Sequence, residues 1–146
     1  MSEKNIVIDI YTDGSCIEKR GGWAIIVLFS DKIGITLSGC EKNTTNNRME
    51  LKAVIEALKF ILENGFINTI TTIHSDSMLT INCAEGKWKR NKNMDLWKEY
   101  DFLFHSIKSK AKIVFKWVKA HNGIEHNEFV DKESRAQTST LNTIKI

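Results

Sequence analysis

Four carboxylates, Asp13, Glu50, Asp76 and Asp131, stand beside boundaries between expected elements, where a side chain is fixed enough to do chemistry. Asp13 and Asp76 each close a β-branched run, Glu50 falls in the first turns of a helical pattern, and Asp131 lies in the last one. Acids grouped in space repel, so such a cluster is kept mainly where a cation neutralises it. An all-oxygen ligand set favours a hard divalent ion, Mg²⁺ first, because Mg²⁺ accepts a few carboxylates and fills its other positions with water and phosphate oxygens. The three cysteines, Cys16, Cys40 and Cys83, are far apart and contain no CxxC pair. They are read as free thiols in a reducing, cytoplasmic compartment, and no soft-metal site is implied.

The elements that must hold these acids can be read in order. Asn5 to Ser15, NIVIDIYTDGS, predicts a central strand: Ile6, Ile8 and Ile10 share one face, and Val7, Asp9, Tyr11 and Asp13 the other. Gly14 is expected to break it, leaving Asp13 at the rim of the sheet, wet enough to ionise. Trp23 to Ser30 and Ile33 to Cys40 complete a three-stranded meander. Thr44 to Asn47 supply cap chemistry for a helix whose apolar residues, Leu51, Val54, Ile55, Leu58, Ile61 and Leu62, recur at helical spacing until Asn64 and Gly65. Thr69 to Ser75 predicts a strand and Ser77 to Glu85 a short helix. A basic segment, Gly86 to Asn93, precedes a helix with Leu96, Leu103 and Ile107 facing inward. Lys112 to Lys119 alternates as a last strand, His121 to Gly123 forms a polar loop, and a helix runs from about Glu125 to Gln137, with fraying after Thr138. The order βββαβααβα describes an α/β protein with a five-stranded mixed sheet flanked by helices, whose ligands gather at strand ends.

The 146 residues fit a single domain spanning 1–146. A net charge of +3 is a weak pointer to a polyanionic partner. The longest apolar run, Ala24 to Phe29, is far short of a membrane span, and the first residues lack the apolar core of a signal peptide.

Four motifs, YTDGS at Tyr11 to Ser15, TNNRMEL at Thr45 to Leu51, SDS at Ser75 to Ser77, and VKAHNG with NExxD at Val118 to Asp131, occur in one register. In order and spacing the chain resembles the type 1 ribonucleases H, which cut the RNA strand of RNA–DNA hybrids, from Ile6 to about Ala136. The resemblance implies a ribonuclease H-like fold and hydrolysis to 5′-phosphate and 3′-hydroxyl ends with two Mg²⁺ ions, for which Mn²⁺ can substitute. It makes Asp13, Glu50, Asp76 and Asp131 the metal ligands and His121 a mobile acid/base or product-release residue. It places Asn46, Asn47 and the backbone near Ser15 and Cys16 along the RNA strand, and Thr45 on a DNA phosphate. It implies an RNA–DNA hybrid as partner; beside it, no membrane and no obligate protein partner are expected, and the chain is read as a monomer.

The chain departs from the family pattern at three places. The loop after Asp13 is shorter than the glycine- and proline-rich loop of bacterial members, and Met78 stands where a glutamine is frequent. The basic protrusion between Asp76 and Leu96 is cut down to Lys87, Lys89, Arg90 and Lys92 around Trp88, which are expected to follow the DNA strand. His74 is read as a strand-end histidine with a local hydrogen-bond partner, and Trp23, Trp97 and Trp117 as core. A non-enzymatic module of the same fold would lose an acidic ligand, and a different metal nuclease would lack the TNNRME and HNG–NExxD pair.

Overall fold

The computed structural model describes residues 6–29, 32–119 and 136. β-Branched and apolar runs form β1 (Ile6–Ile17), β2 (Arg20–Phe29), β3 (Lys32–Lys42), β4 (Thr69–Ser75) and β5 (Lys112–Trp117). These assemble in the order β3-β2-β1-β4-β5. β1 pairs antiparallel with β2 and β2 with β3, whereas β1 with β4 and β4 with β5 are parallel. Three helices, α1 (Asn46–Glu63), α2 (Met78–Ala84) and α3 (Met94–Lys108), make the connections after β3 and β4. The expected last helix lies outside the described residues, except Ala136, which is helical.

β1 does not stop at Gly14. It runs on to Ile17, with Asp13 paired to Ala24 and Gly14 to Trp23, because the hairpin partner β2 starts at Arg20, three residues earlier than expected. The turn is only Glu18 and Lys19, both with positive φ, the geometry that matches the twist of a two-residue hairpin. What ends near Asp13 is the parallel ladder to β4, whose last pair is Tyr11 with His74. Gly14 has a different task from the one expected. A Cβ there would collide with the backbone of Met49 and Glu50, so glycine lets the first turns of α1 press onto β1.

The main core lies between the sheet and helices α1 and α3. Ile8, Ile10, Ile25, Val27 and Ile73 of the sheet meet Val54, Leu58 and Ile61 of α1 and Trp97, Tyr100, Leu103 and Ile107 of α3. The alternating residues of β2, Ala24, Ile26 and Leu28, form a second small cluster against Tyr11. Trp97 is core as expected, and Trp23 is half-buried against it. Trp117 is not core: it is 43% exposed at the end of β5. Ile113 and Phe115, on the same face of β5, pack against the core, whereas Trp117 is the last residue of the strand.

Candidate metal centre

The ladder between β1 and β4 sets the geometry of the site. Parallel pairing of Tyr11 with His74 carries the next residues of both strands forward together, so Asp13 and Asp76, each two positions on, come out side by side. Thr12 reinforces the match by donating its hydroxyl to the His74 carbonyl at 2.9 Å. On the same face, the His74 ring stacks on Tyr11 with centroids 4.1 Å apart and meets Asp9 Oδ1 through Nε2 at 2.9 Å. That is the local partner expected for His74.

Glu50 arrives from α1. Thr45 caps the helix by accepting the Arg48 N–H at 3.2 Å, and Gly14 allows the close approach of the Met49–Glu50 backbone. Asp13, Glu50 and Asp76 thereby bring one carboxylate oxygen each within 4.8 Å of the others, Asp13 being buried and the other two half-buried. Three like charges so close repel, and the donors are all hard oxygens, so the group can hold a divalent metal ion. His121 and Asp131 lie outside the described residues.

The other expected site residues fall in two groups. Ser15 is on β1 beyond Asp13, and Cys16 donates its thiol to the Thr44 carbonyl at 3.4 Å, tying the hairpin to the segment before α1. Thr45, Asn46 and Asn47 are exposed at the N-terminus of α1. Accepting the Arg48 N–H leaves the Thr45 hydroxyl hydrogen able to donate. Across a cleft of about 270 Å³, Asn47 faces Lys89, Lys92 and Asn93 of the basic segment.

That segment is not a uniform cationic surface. Lys87, Trp88, Lys89 and Lys92 are exposed. Arg90 is not: it makes a two-pronged bond to Asp101 at 2.8 and 2.9 Å, donates Nε–H to the Cys83 carbonyl at 3.2 Å, and lies 4.2 Å over the Trp97 ring. Unlike the lysines beside it, Arg90 is held inward by these contacts with an aromatic ring and a carboxylate. Asp101, read as an ordinary charge, is its partner.

Sequence reasoning missed two residues that shape the site. Arg48 joins the N-termini of α1 and α3, donating to Asn93 at 3.2 Å and to both oxygens of Asp95 at 2.7 and 3.0 Å. Trp117 donates its Nε1–H to the Asp76 carbonyl at 3.2 Å. The available signals were an arginine inside the TNNRME motif, and an aromatic closing the strand next to the one that Asp76 follows.

The RNase H family model matches residues 5–139. The chain belongs to the ribonuclease H family. A ribonuclease H of Wolbachia pipientis wMel is 41% identical over 150 residues, covering 92% of this chain and 96% of that one. A Campylobacter jejuni ribonuclease H is 45% identical over 140 residues, covering 88% of each. Among solved structures, LC11-RNase H1, isolated from compost and solved in complex with an RNA/DNA hybrid, superposes with a TM-score of 0.79 at 20% identity. It covers 92% of this chain and 99% of that one, and carries the same fold. The sheet and helices described above are thus a ribonuclease H-like α/β fold, and the protein is a ribonuclease H enzyme. No helix among the described residues is long and apolar enough to cross a membrane.

Proposed function

We propose that this ribonuclease H cuts the RNA strand of RNA–DNA hybrids, leaving 5′-phosphate and 3′-hydroxyl ends, with Mg²⁺ held by Asp13, Glu50, Asp76 and Asp131. The observation that carries the reading is the convergence of Asp13, Glu50 and Asp76 to within 4.8 Å, in a chain of this family. Bound Mg²⁺, or Mn²⁺ in its place, supplies an activated water and stabilises the leaving 3′ oxygen.

The protein's own residues do the rest. Asp13 presents its carboxylate from β1 and Asp76 from the residue just after β4, each two positions past the last pair of the parallel ladder, so the ladder brings the two out together. His121 acts as a mobile acid/base and product-release group. Asn46, Asn47 and the backbone at Ser15 and Cys16 follow the RNA strand, whose 2′-hydroxyl distinguishes it from DNA. Thr45 meets a DNA phosphate, and Lys87, Trp88, Lys89 and Lys92 continue along the DNA strand. Arg90 supports that surface from behind through Asp101 and Trp97. The enzyme works as a monomer in the cytoplasm.

The test is cleavage of one labelled sequence presented as RNA–DNA hybrid, RNA duplex and DNA duplex, with Mg²⁺, Mn²⁺ or chelator. Metal-dependent cutting of the hybrid alone is expected. Binding without cutting would make the protein a hybrid-binding module, and equal cutting of all three duplexes would make it a different metal nuclease.

A further inference from the structure

We propose that Trp117 is a positioning residue: its indole N–H holds the Asp76 backbone so that the Asp76 carboxylate meets the metal in register with Asp13. The proposal rests on the reading of Asp76 as a metal ligand. Trp117 pairs with Ser75 in the ladder between β4 and β5, and its Nε1–H donates to the Asp76 carbonyl at 3.2 Å. The next residue, Val118, donates its N–H to the Ser75 carbonyl at 2.9 Å. On the far side, the Ser77 N–H donates to Ser75 Oγ at 3.1 Å, and Ser77 Oγ accepts the Thr80 N–H to cap α2. β5 and the start of α2 thus clamp the main chain on both sides of Asp76.

Packing does not account for a tryptophan here. Burial is the usual return on a large aromatic, yet this ring is 43% exposed, whereas Ile113 and Phe115 pack onto the core from the same strand face. What Trp offers that Phe lacks is one hydrogen-bond donor at the ring edge, and that donor is in use. Fixing the Asp76 carbonyl orients the peptide plane that leads into Ser77. The carboxylate is then two side-chain torsions from a fixed frame, and site geometry tolerates errors of only about 0.5 Å.

Trp117→Phe keeps the ring and removes the donor. Calorimetry with Mg²⁺ alone is expected to show affinity weakened by roughly 3- to 10-fold, the scale of one lost hydrogen bond. In hybrid cleavage below metal saturation, kcat should fall by a similar factor, with KM for hybrid and the melting temperature close to wild type. Wild-type Mg²⁺ affinity in the variant overturns the proposal. So does a raised KM with unchanged kcat, which would make the indole a hybrid contact. Should the variant fail to fold, the wild-type protein still decides: the Trp117 indole N–H resonance must shift during a Mg²⁺ titration, with the midpoint seen by calorimetry, and an unmoved resonance overturns the proposal. A wild-type protein that binds Mg²⁺ but cuts no hybrid would count against the proposed function and leave these metal readouts standing.

Discussion

At Asp13 the requirements of folding and of metal binding oppose one another. The residue is buried, and its carboxylate lies within 4.8 Å of those of Glu50 and Asp76. Like charges about 4 Å apart repel by about 1 kcal/mol in water and about 4 kcal/mol at the weaker screening near a protein surface. Without metal, that repulsion works against the folded state. Asp13→Asn or Asp76→Asn should therefore abolish hybrid cleavage while leaving the metal-free protein folded and more stable, by about 1 kcal/mol after partial screening. Urea unfolding in chelator alongside a cleavage assay checks both halves. A variant that cuts hybrid normally would remove that residue from the metal set.

Among elements, the helix α1 joins the acidic centre to the substrate surface. Its Glu50 belongs to the carboxylate group, and Arg48, two residues earlier, reaches Asn93 and Asp95 at the start of α3. The Arg48 hydrogen bond holds the Asp95 carboxyl down at about 2, against an ordinary value of 3.8. A depressed acid contributes stability that is fully present above 3.8 and lost as pH falls through about 2. Asp95 is largely exposed, so solvent limits the contribution to about 0.2 to 1 kcal/mol. Asp95→Asn should cost that much between pH 7 and 5, and the gap to wild type should narrow below pH 4, as read by urea unfolding at each pH. A gap that stayed constant to pH 2.5 would mean that the bridge contributes through geometry and not charge.

The same elements show how far the sequence could be read. Helical spacing and the cap chemistry of Thr44 to Asn47 located α1, and β-branched content located β4, because both signals are local. Asp-Gly at Asp13 and Gly14 suggested the end of a strand, yet β1 continues to Ile17, since pairing with β2 outweighs a local turn preference. The meeting of Asp13, Glu50 and Asp76 followed from the order of elements and the family motifs. The inward turn of Arg90 and the outward edge of Trp117 did not, because each depends on a partner in another element, Asp101 for Arg90 and Asp76 for Trp117.

For the molecule as a whole, a net charge of +3 means that hybrid binding depends on where cations sit more than on their number. The basic segment has four, and the structure divides them. Lys87, Lys89 and Lys92 face solvent beside Trp88, while Arg90 joins α2 to α3 through the Cys83 carbonyl, Trp97 and Asp101. Lys87 has Glu85 3.3 Å away, an exposed pair that a phosphate can displace. Neutralising the three lysines should raise KM for hybrid, spare kcat, and flatten the salt dependence by about 0.7 to 0.9 log unit per lost phosphate contact. The melting temperature should not move. Arg90→Ala should also raise KM, but by loosening the surface that carries the lysines, so it should cost about 1 to 3 kcal/mol of stability and leave most of the salt slope in place. Titrating KM against salt for both variants, with thermal melts beside them, separates a contact from a support. An unchanged slope in the triple variant would assign hybrid affinity to Thr45, Asn46 and Asn47 at the start of α1.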